Sequence, residues 1–207
     1  MRKTMRAAVL GAAVLSTAVT AACGGSSDGS DGSGGSDGSD DPAGQLDPAL
    51  LYHVVNTLGW PDLRPLQRST IWPVVAGHHT LVIAPTAGGK TEAAVFPLLS
   101  RMATEGWAPL SVLYVCPLRA LLNNLHPRLE RYAGFVGRRV GLWHGDVGAS
   151  PRRKIVTDPP DVLLTTPESL ESMLISARVD HRFLFANLRA VVVDEIHAFA
   201  EIGRAHV

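Results

Sequence analysis

The chain has 207 residues, 46% of them hydrophobic, with 19 basic residues, 19 acidic residues and two cysteines. That length suits one globular domain with a tail, two cysteines cannot frame a disulfide-stapled fold, and zero net charge excludes a uniformly basic nucleic-acid binder. The average conceals a split, because residues 1–44 hold three basic and five acidic residues and the remainder holds 16 and 14.

In chain order, Arg2, Lys3 and Arg6 precede an apolar run, Ala7–Val19, that is too short to span a bilayer comfortably, and Ala21 and Ala22 precede Cys23. The order of charge, apolar run and small residues is that of an export signal. It resembles a bacterial lipoprotein signal whose cysteine, here Cys23, becomes lipidated, with Thr20 standing where leucine is usual. Residues 1–23 are therefore expected to be a lipoprotein-like signal segment, and the Gly/Ser/Asp run of residues 24–44 a disordered linker.

From residue 45 the composition becomes globular. Asp47-Pro48 predicts an N-cap and first-turn proline for a helix that Gly59 closes, and a second helix is predicted from Pro65 to Ala76, before Gly77. Alternation follows: strands are predicted at Thr80–Ala84, Ser111–Cys116, Arg139–Trp143, Asp161–Thr165 and Ala190–Asp194. Helices are predicted at Lys90–Ala103, Arg119–Tyr132 and Pro167–Ser176. Apolar strands alternating with helices predict an α/β fold, a mostly parallel sheet with helices on both faces. Cys116 is expected to be buried at a strand end, and the histidines show no zinc-ligand spacing with cysteines.

Two segments carry chemistry. Ala84–Thr91, A-P-T-A-G-G-K-T, lies between a predicted strand and helix. A loop so placed aims backbone N–H groups and a helix N-terminus at one point, which suits polyphosphate, and glycine lets the backbone come close. Thr86, Ala87, Gly88, Gly89, Lys90 and Thr91 are thus expected to hold ATP. Lys90 would reach the β/γ-phosphates and the Thr91 hydroxyl would ligate Mg²⁺. Asp194 and Glu195, in V-V-V-D-E-I-H, end an apolar strand 104 positions beyond Lys90. At the carboxyl edge of a parallel sheet, Asp194 can hold Mg²⁺ and Glu195 can orient and deprotonate an attacking water. Alone, the two acids would better suit the start of a solvated helix; the glycine loop tips the reading to a P-loop NTPase.

Five segments in order resemble superfamily 2 helicases of the DEAD/DEAH-box type, within them the Lhr-like group: L-R-P-L-Q (63–67), A-P-T-A-G-G-K-T (84–91), P-L-R-A-L (117–121), T-T-P-E-S-L (165–170) and D-E-I-H (194–197). The resemblance covers residues 47–200 or so. It implies a RecA-like domain, a role for Gln67 on adenine, and backbone contacts to one strand of DNA or RNA through Arg119, Thr165 and Thr166. It also gives His197 a part in coupling ATP state to a partner domain. Phosphate contacts of that kind carry no sequence information and weaken with salt. W-H-G-D (143–146) resembles a segment of Lhr-like proteins, while Trp143 itself reads as a strand-end residue. The cluster Arg152-Arg153-Lys154 reads equally as a phosphate contact or a solvated face.

The resemblance also implies a second RecA-like domain as partner, whose arginines complete the ATP site. Motifs III to VI are not found in these 207 residues, and loss of such an arginine costs on the order of 10³–10⁵ in rate. The helicase domain, expected over residues 45–201, is therefore read as truncated, binding ATP but with little turnover alone. E-I-G-R-A-H-V (201–207) can be encoded by a string resembling a sequencing adapter, so residues 202–207 are expected to be read-through. A chimeric reading frame then reconciles an export signal with a cytoplasmic helicase domain. The alternative is a membrane-anchored lipoprotein with a vestigial nucleotide-binding fold. A transporter ATPase would need an LSGGQ-like signature, which the chain lacks.

Overall fold

The computed structural model describes residues 17–20 and 41–202. The export-signal and lipidation readings, Cys23 included, lie largely outside these residues, as do positions 203–207. One fragment of the apolar run is described: Thr17–Thr20 forms strand β1, parallel to β2 (Thr80–Ile83) with Thr17 opposite Thr80.

The folded body starts earlier than residue 45. Pro42–Gln45 forms a 3-10 turn capped by Asp41, with Ala43 and Leu46 buried and Asp41 paired to Arg68 at 2.6 Å. Helix α1 (Pro48–Asn56) opens on Asp47, whose carboxylate accepts from the N–H groups of Ala49 and Leu50. Helix α2 (Pro65–Val75) ends before Gly77, whose φ of +81° only glycine takes cheaply. Then come α3 (Lys90–Thr104), β3 (Val112–Val115), α4 (Arg119–Gly134), β4 (Val140–Trp143), α5 (Ala149–Thr157) and β5 (Val162–Thr165). Helices α6 (Pro167–Ile175) and α7 (His181–Leu184), strand β6 (Ala190–Val193) and α8 (Ile196–Ile202) complete the order.

Strands β4-β5-β3-β6 form one parallel sheet in that order, and β1-β2 a second pair. Among the described residues no ladder joins β2 to β6. Alternate residues sort the core onto two faces, as a strand's period of two requires. Val112, Tyr114, Cys116, Val162 and Leu164 pack with α1, α3 and α4, whereas Leu113, Val115 and Leu163 pack with Ile155 of α5, Met173 of α6 and Leu184 of α7. Leu163 and Leu164, fully buried on opposite faces, each contribute about 1.5–3 kcal/mol by burial.

Coverage of both faces holds for β3 and β5 and fails at β6 and at β2 of the second pair. Leu81, Ile83, Val191 and Val193 are about half exposed, because α5 to α7 cover the middle strands only. Cys116 is fully buried, and burial pushes its thiol up to about 11.

Candidate functional site

Parallel strands end at one edge, and the singled-out residues gather there. The loop Ala84–Gly89 follows β2, Arg119 lies just past β3, His144–Asp146 follow β4, Thr165 and Thr166 close β5, and Asp194 and Glu195 follow β6. In open α/β sheets this carboxyl edge is where ligands bind.

The loop is wound tightly. A Cβ on Gly88 would lie 2.9 Å from the Pro85 carbonyl oxygen, and one on Gly89, at φ +83°, would lie 2.7 Å from Gln67 Nε2. Ala87 takes φ +63° with a side chain in place, a conformation costing on the order of 1–3 kcal/mol where the surroundings impose it. One imposing contact is Arg64, whose Nη1 donates to the Ala87 carbonyl at 2.6 Å. Lys90 begins α3, and its ammonium donates to the carbonyls of Ala84 at 3.0 Å and Pro85 at 3.2 Å.

Gln67 sits in the first turn of α2, where the Arg64 N–H donates to its Oε1 at 2.9 Å. That contact orients the amide and leaves Nε2 buried without a partner, beside Gly89. Buried donors without partners are costly, so an unfilled one facing a glycine loop marks a place where a ligand atom can accept. The packing that puts it there is α2 on α3, pinned by the Thr70 hydroxyl donating to the Ala93 carbonyl at 2.7 Å.

The second half of the site is joined to the first by a residue that sequence motifs do not single out. Tyr114, in the middle of β3, donates its phenol to Asp194 Oδ2 at 2.6 Å, and the Thr91 side chain lies beside the same phenol. Burial and the Asp194 charge hold the Tyr114 pKa far above its ordinary value. A signal exists all the same: a tyrosine within the apolar run V-L-Y-V-C needs a polar partner for its hydroxyl when buried. Asp194 Oδ1 accepts from the Glu195 N–H at 2.9 Å. Glu195 itself takes φ +53°, and its Oε2 lies 3.4 Å from Nε2 of the exposed His197.

The expected nucleic-acid contacts divide. Arg119 is half exposed, paired with Asp146 at 2.9 Å and lying over Gly145, where a Cβ would come within 3.1 Å of its guanidinium. The hydroxyls of Thr165 and Thr166 are not available as phosphate donors. Thr165 is buried and donates to the Trp143 carbonyl at 2.8 Å, fixing β5 against β4. Thr166 is buried as the N-cap of α6, accepting from the Ser169 N–H and bonding the Ser169 hydroxyl. Both threonines are spent on local structure, as Ser and Thr at strand and helix ends commonly are. His144 is buried, with Nε2 2.9 Å from Asn123 Oδ1 and Nδ1 accepting from the Asp146 N–H, and burial holds its pKa below the usual value. W-H-G-D is thus a structured turn that carries Arg119's counter-ion. The basic cluster lies on α5, with Arg153 and Lys154 exposed.

Parallel strands with a glycine loop at the end of one and an acidic pair at the end of another, flanked by helices, define a RecA-like P-loop domain. The chain belongs to the DEAD/DEAH box helicase family, whose profile matches residues 64–207. Within it the chain is 40% identical over 159 residues to the Lhr helicase/probable uracil glycosylase of Mycolicibacterium smegmatis, covering 69% of this chain and 10% of that protein. It is 33% identical to the ATP-dependent helicase Lhr-Core of Methanothermobacter thermautotrophicus, covering 69% of this chain and 18% of that one. The solved structure of Mycobacterium smegmatis helicase Lhr bound to ssDNA and AMP-PNP superposes with a TM-score of 0.64 at 36% identity. That superposition covers 77% of this chain and 21% of the other. The DEAD-box helicase Mss116, bound to ssRNA and UDP-BeF, shares the fold at 22% identity and a TM-score of 0.67, over 77% of this chain and 33% of its own. The chain spans less than a fifth of each of the two curated relatives named. Among the described residues no helix is long and apolar enough to cross a membrane.

Proposed function

We propose that residues 41–202 form an ATP·Mg²⁺-binding and nucleic-acid-binding domain of an ATP-dependent helicase. The observation that carries the reading is the 2.6 Å contact of the Tyr114 phenol with Asp194, with Thr91 beside the same phenol, near a loop that leaves no room for a Cβ at Gly88 or Gly89 and an unpartnered Gln67 Nε2. These residues fit a nucleoside triphosphate with a divalent cation. Gln67 is assigned to the adenine, backbone amides of Thr86–Gly89 and the Lys90 ammonium to the phosphates, and Thr91 and Asp194 to the cation. Glu195 is assigned to orienting and deprotonating water, and its left-handed backbone is strain of the kind that collects at working sites. Mg²⁺, when bound, neutralises charge on the phosphates and polarises them. The AMP-PNP and ssDNA bound in the mycobacterial Lhr structure support the same ligand classes for this chain.

At the other end of the edge, Arg119 is the residue assigned to phosphate, in exchange for or together with Asp146. The test is a pair of titrations on the chain. A fluorescent ATP analogue is expected to bind saturably and more tightly with Mg²⁺, and single-stranded DNA or RNA to bind with an affinity that falls with salt. Arg119→Ala is expected to weaken strand binding and to lower the log–log salt slope by about 0.7. Nucleotide binding that ignores Mg²⁺, or a slope unchanged in the variant, removes the corresponding half of the reading.

The ATP-dependent reading places this domain in the cytoplasm. Processing at Cys23 would instead attach it to a membrane, an outcome that metabolic labelling with a fatty acid detects. Label retained in Cys23→Ser excludes lipidation at that residue.

A further inference from the structure

We propose that Tyr114 is a positioning residue for the nucleotide site, registering the metal-facing groups of its two halves; the inference rests on the ATP·Mg²⁺ reading above. The loop, Lys90 and Thr91 are carried by β2 and α3, whereas Asp194 and Glu195 are carried by β6. Among the described residues β2 and β6 belong to different sheets. Tyr114 spans them. It stands on β3, which is bonded directly to β6 with Tyr114 opposite Val192, and its side chain runs through the core to the carboxyl edge. There the phenol donates to Asp194 Oδ2 at 2.6 Å and adjoins Thr91.

The carboxylate is held at both oxygens: Oδ1 by the Glu195 N–H at 2.9 Å and Oδ2 by the phenol. Each oxygen keeps lone-pair capacity for a cation, so these contacts set the plane of the carboxylate without exhausting it. Outer contacts of this kind orient a metal-facing carboxylate and tune what it holds. The apolar cluster to which Tyr114 belongs does not itself call for a hydroxyl, and phenylalanine would fill nearly the same volume. The hydroxyl acts at the edge, on Asp194.

Tyr114→Phe is the direct test, because it keeps the ring and deletes the contact. The measurement is the affinity of a fluorescent ATP analogue in Mg²⁺ and in EDTA, with thermal melting as the check on folding. Wild type is expected to gain affinity on adding Mg²⁺. In Tyr114→Phe that gain is expected to shrink about tenfold while affinity in EDTA stays the same. A merely structural role would lower both affinities together. In an Asp194→Asn background the Phe substitution is expected to change nothing further. An undiminished Mg²⁺ gain in Tyr114→Phe overturns the inference and leaves the ATP reading standing, whereas absence of any gain in wild type overturns the reading and the inference with it.

Discussion

Lys90→Ala is expected to weaken nucleotide binding by about 10- to 100-fold while leaving the folded domain intact. A hydrogen bond made by a charged donor contributes on the order of 1.5–3 kcal/mol, and about 1.4 kcal/mol is a factor of ten. The ammonium lies on the carbonyls of Ala84 and Pro85, so it is already folded over the loop into which phosphates are assigned. Polyphosphate offers it full negative charge in exchange for two neutral carbonyls. Those carbonyls lie at a partly exposed loop, where water replaces the lost donor, and the melting temperature should move little. Equilibrium titration with a fluorescent ATP analogue, with melting as control, checks both statements. Affinity within twofold of wild type would remove Lys90 from the phosphate contacts.

Much of the fold is legible in the sequence because local chemistry and tertiary demand agree in it. Gly59 and Gly77 read as helix stops, and both take positive φ; Asp47 reads as a cap, and it caps. The glycine loop is legible as a motif and lies where a strand-loop-helix reading puts it. Helix α5 is not legible: it holds a single buried residue, Ile155, in A-S-P-R-R-K-I-V-T, so it shows no apolar stripe for a helical period to reveal. Pro42–Gly44 reads as linker because Pro, Ala and Gly carry no periodicity, although packing against α2 orders the turn they form with Gln45. The half-open faces of β2 and β6 are illegible for another reason. T-L-V-I and A-V-V-V look like V-L-Y-V and V-L-L-T, and only the placement of helices decides which runs are covered on both sides. Thr165 and Thr166 mislead because a motif names residues and cannot say where a hydroxyl is already engaged. Tyr114 escapes notice because a hydroxyl among apolar neighbours looks like packing until its partner, 80 positions away, is in view.

Asp161→Ala is expected to destabilise the domain by about 3–5 kcal/mol, a large share of the roughly 5–15 kcal/mol typical of folded domains. Asp161 precedes β5 at the amino edge of the sheet, opposite the nucleotide site. Its carboxylate, almost fully buried, accepts from Arg138 Nη1 at 3.1 Å and from the Arg139 N–H at 2.8 Å. Its backbone bonds Arg139, Ser111 and Val112 in turn, so one residue joins the entries to β3, β4 and β5. Arg138 also donates to the carbonyls of Trp107 and Met102. Removing the carboxylate leaves a mostly buried guanidinium with neutral acceptors only, and the cost is that of an uncompensated charge rather than of one hydrogen bond. At about 2–4 °C per kcal/mol for a domain of this size, melting should fall by about 10 °C. The neighbouring pair Arg139–Asp158 has the same chemistry at 2.7 Å, but both side chains are half exposed. Solvent screens it, and Asp158→Ala should barely shift the melt although Arg139 holds that carboxyl below the usual range. Equal shifts in the two variants would show that burial does not set the strength of these pairs. Nucleotide affinity measured well below the transition should be unchanged in both, because neither carboxylate lies at the carboxyl edge.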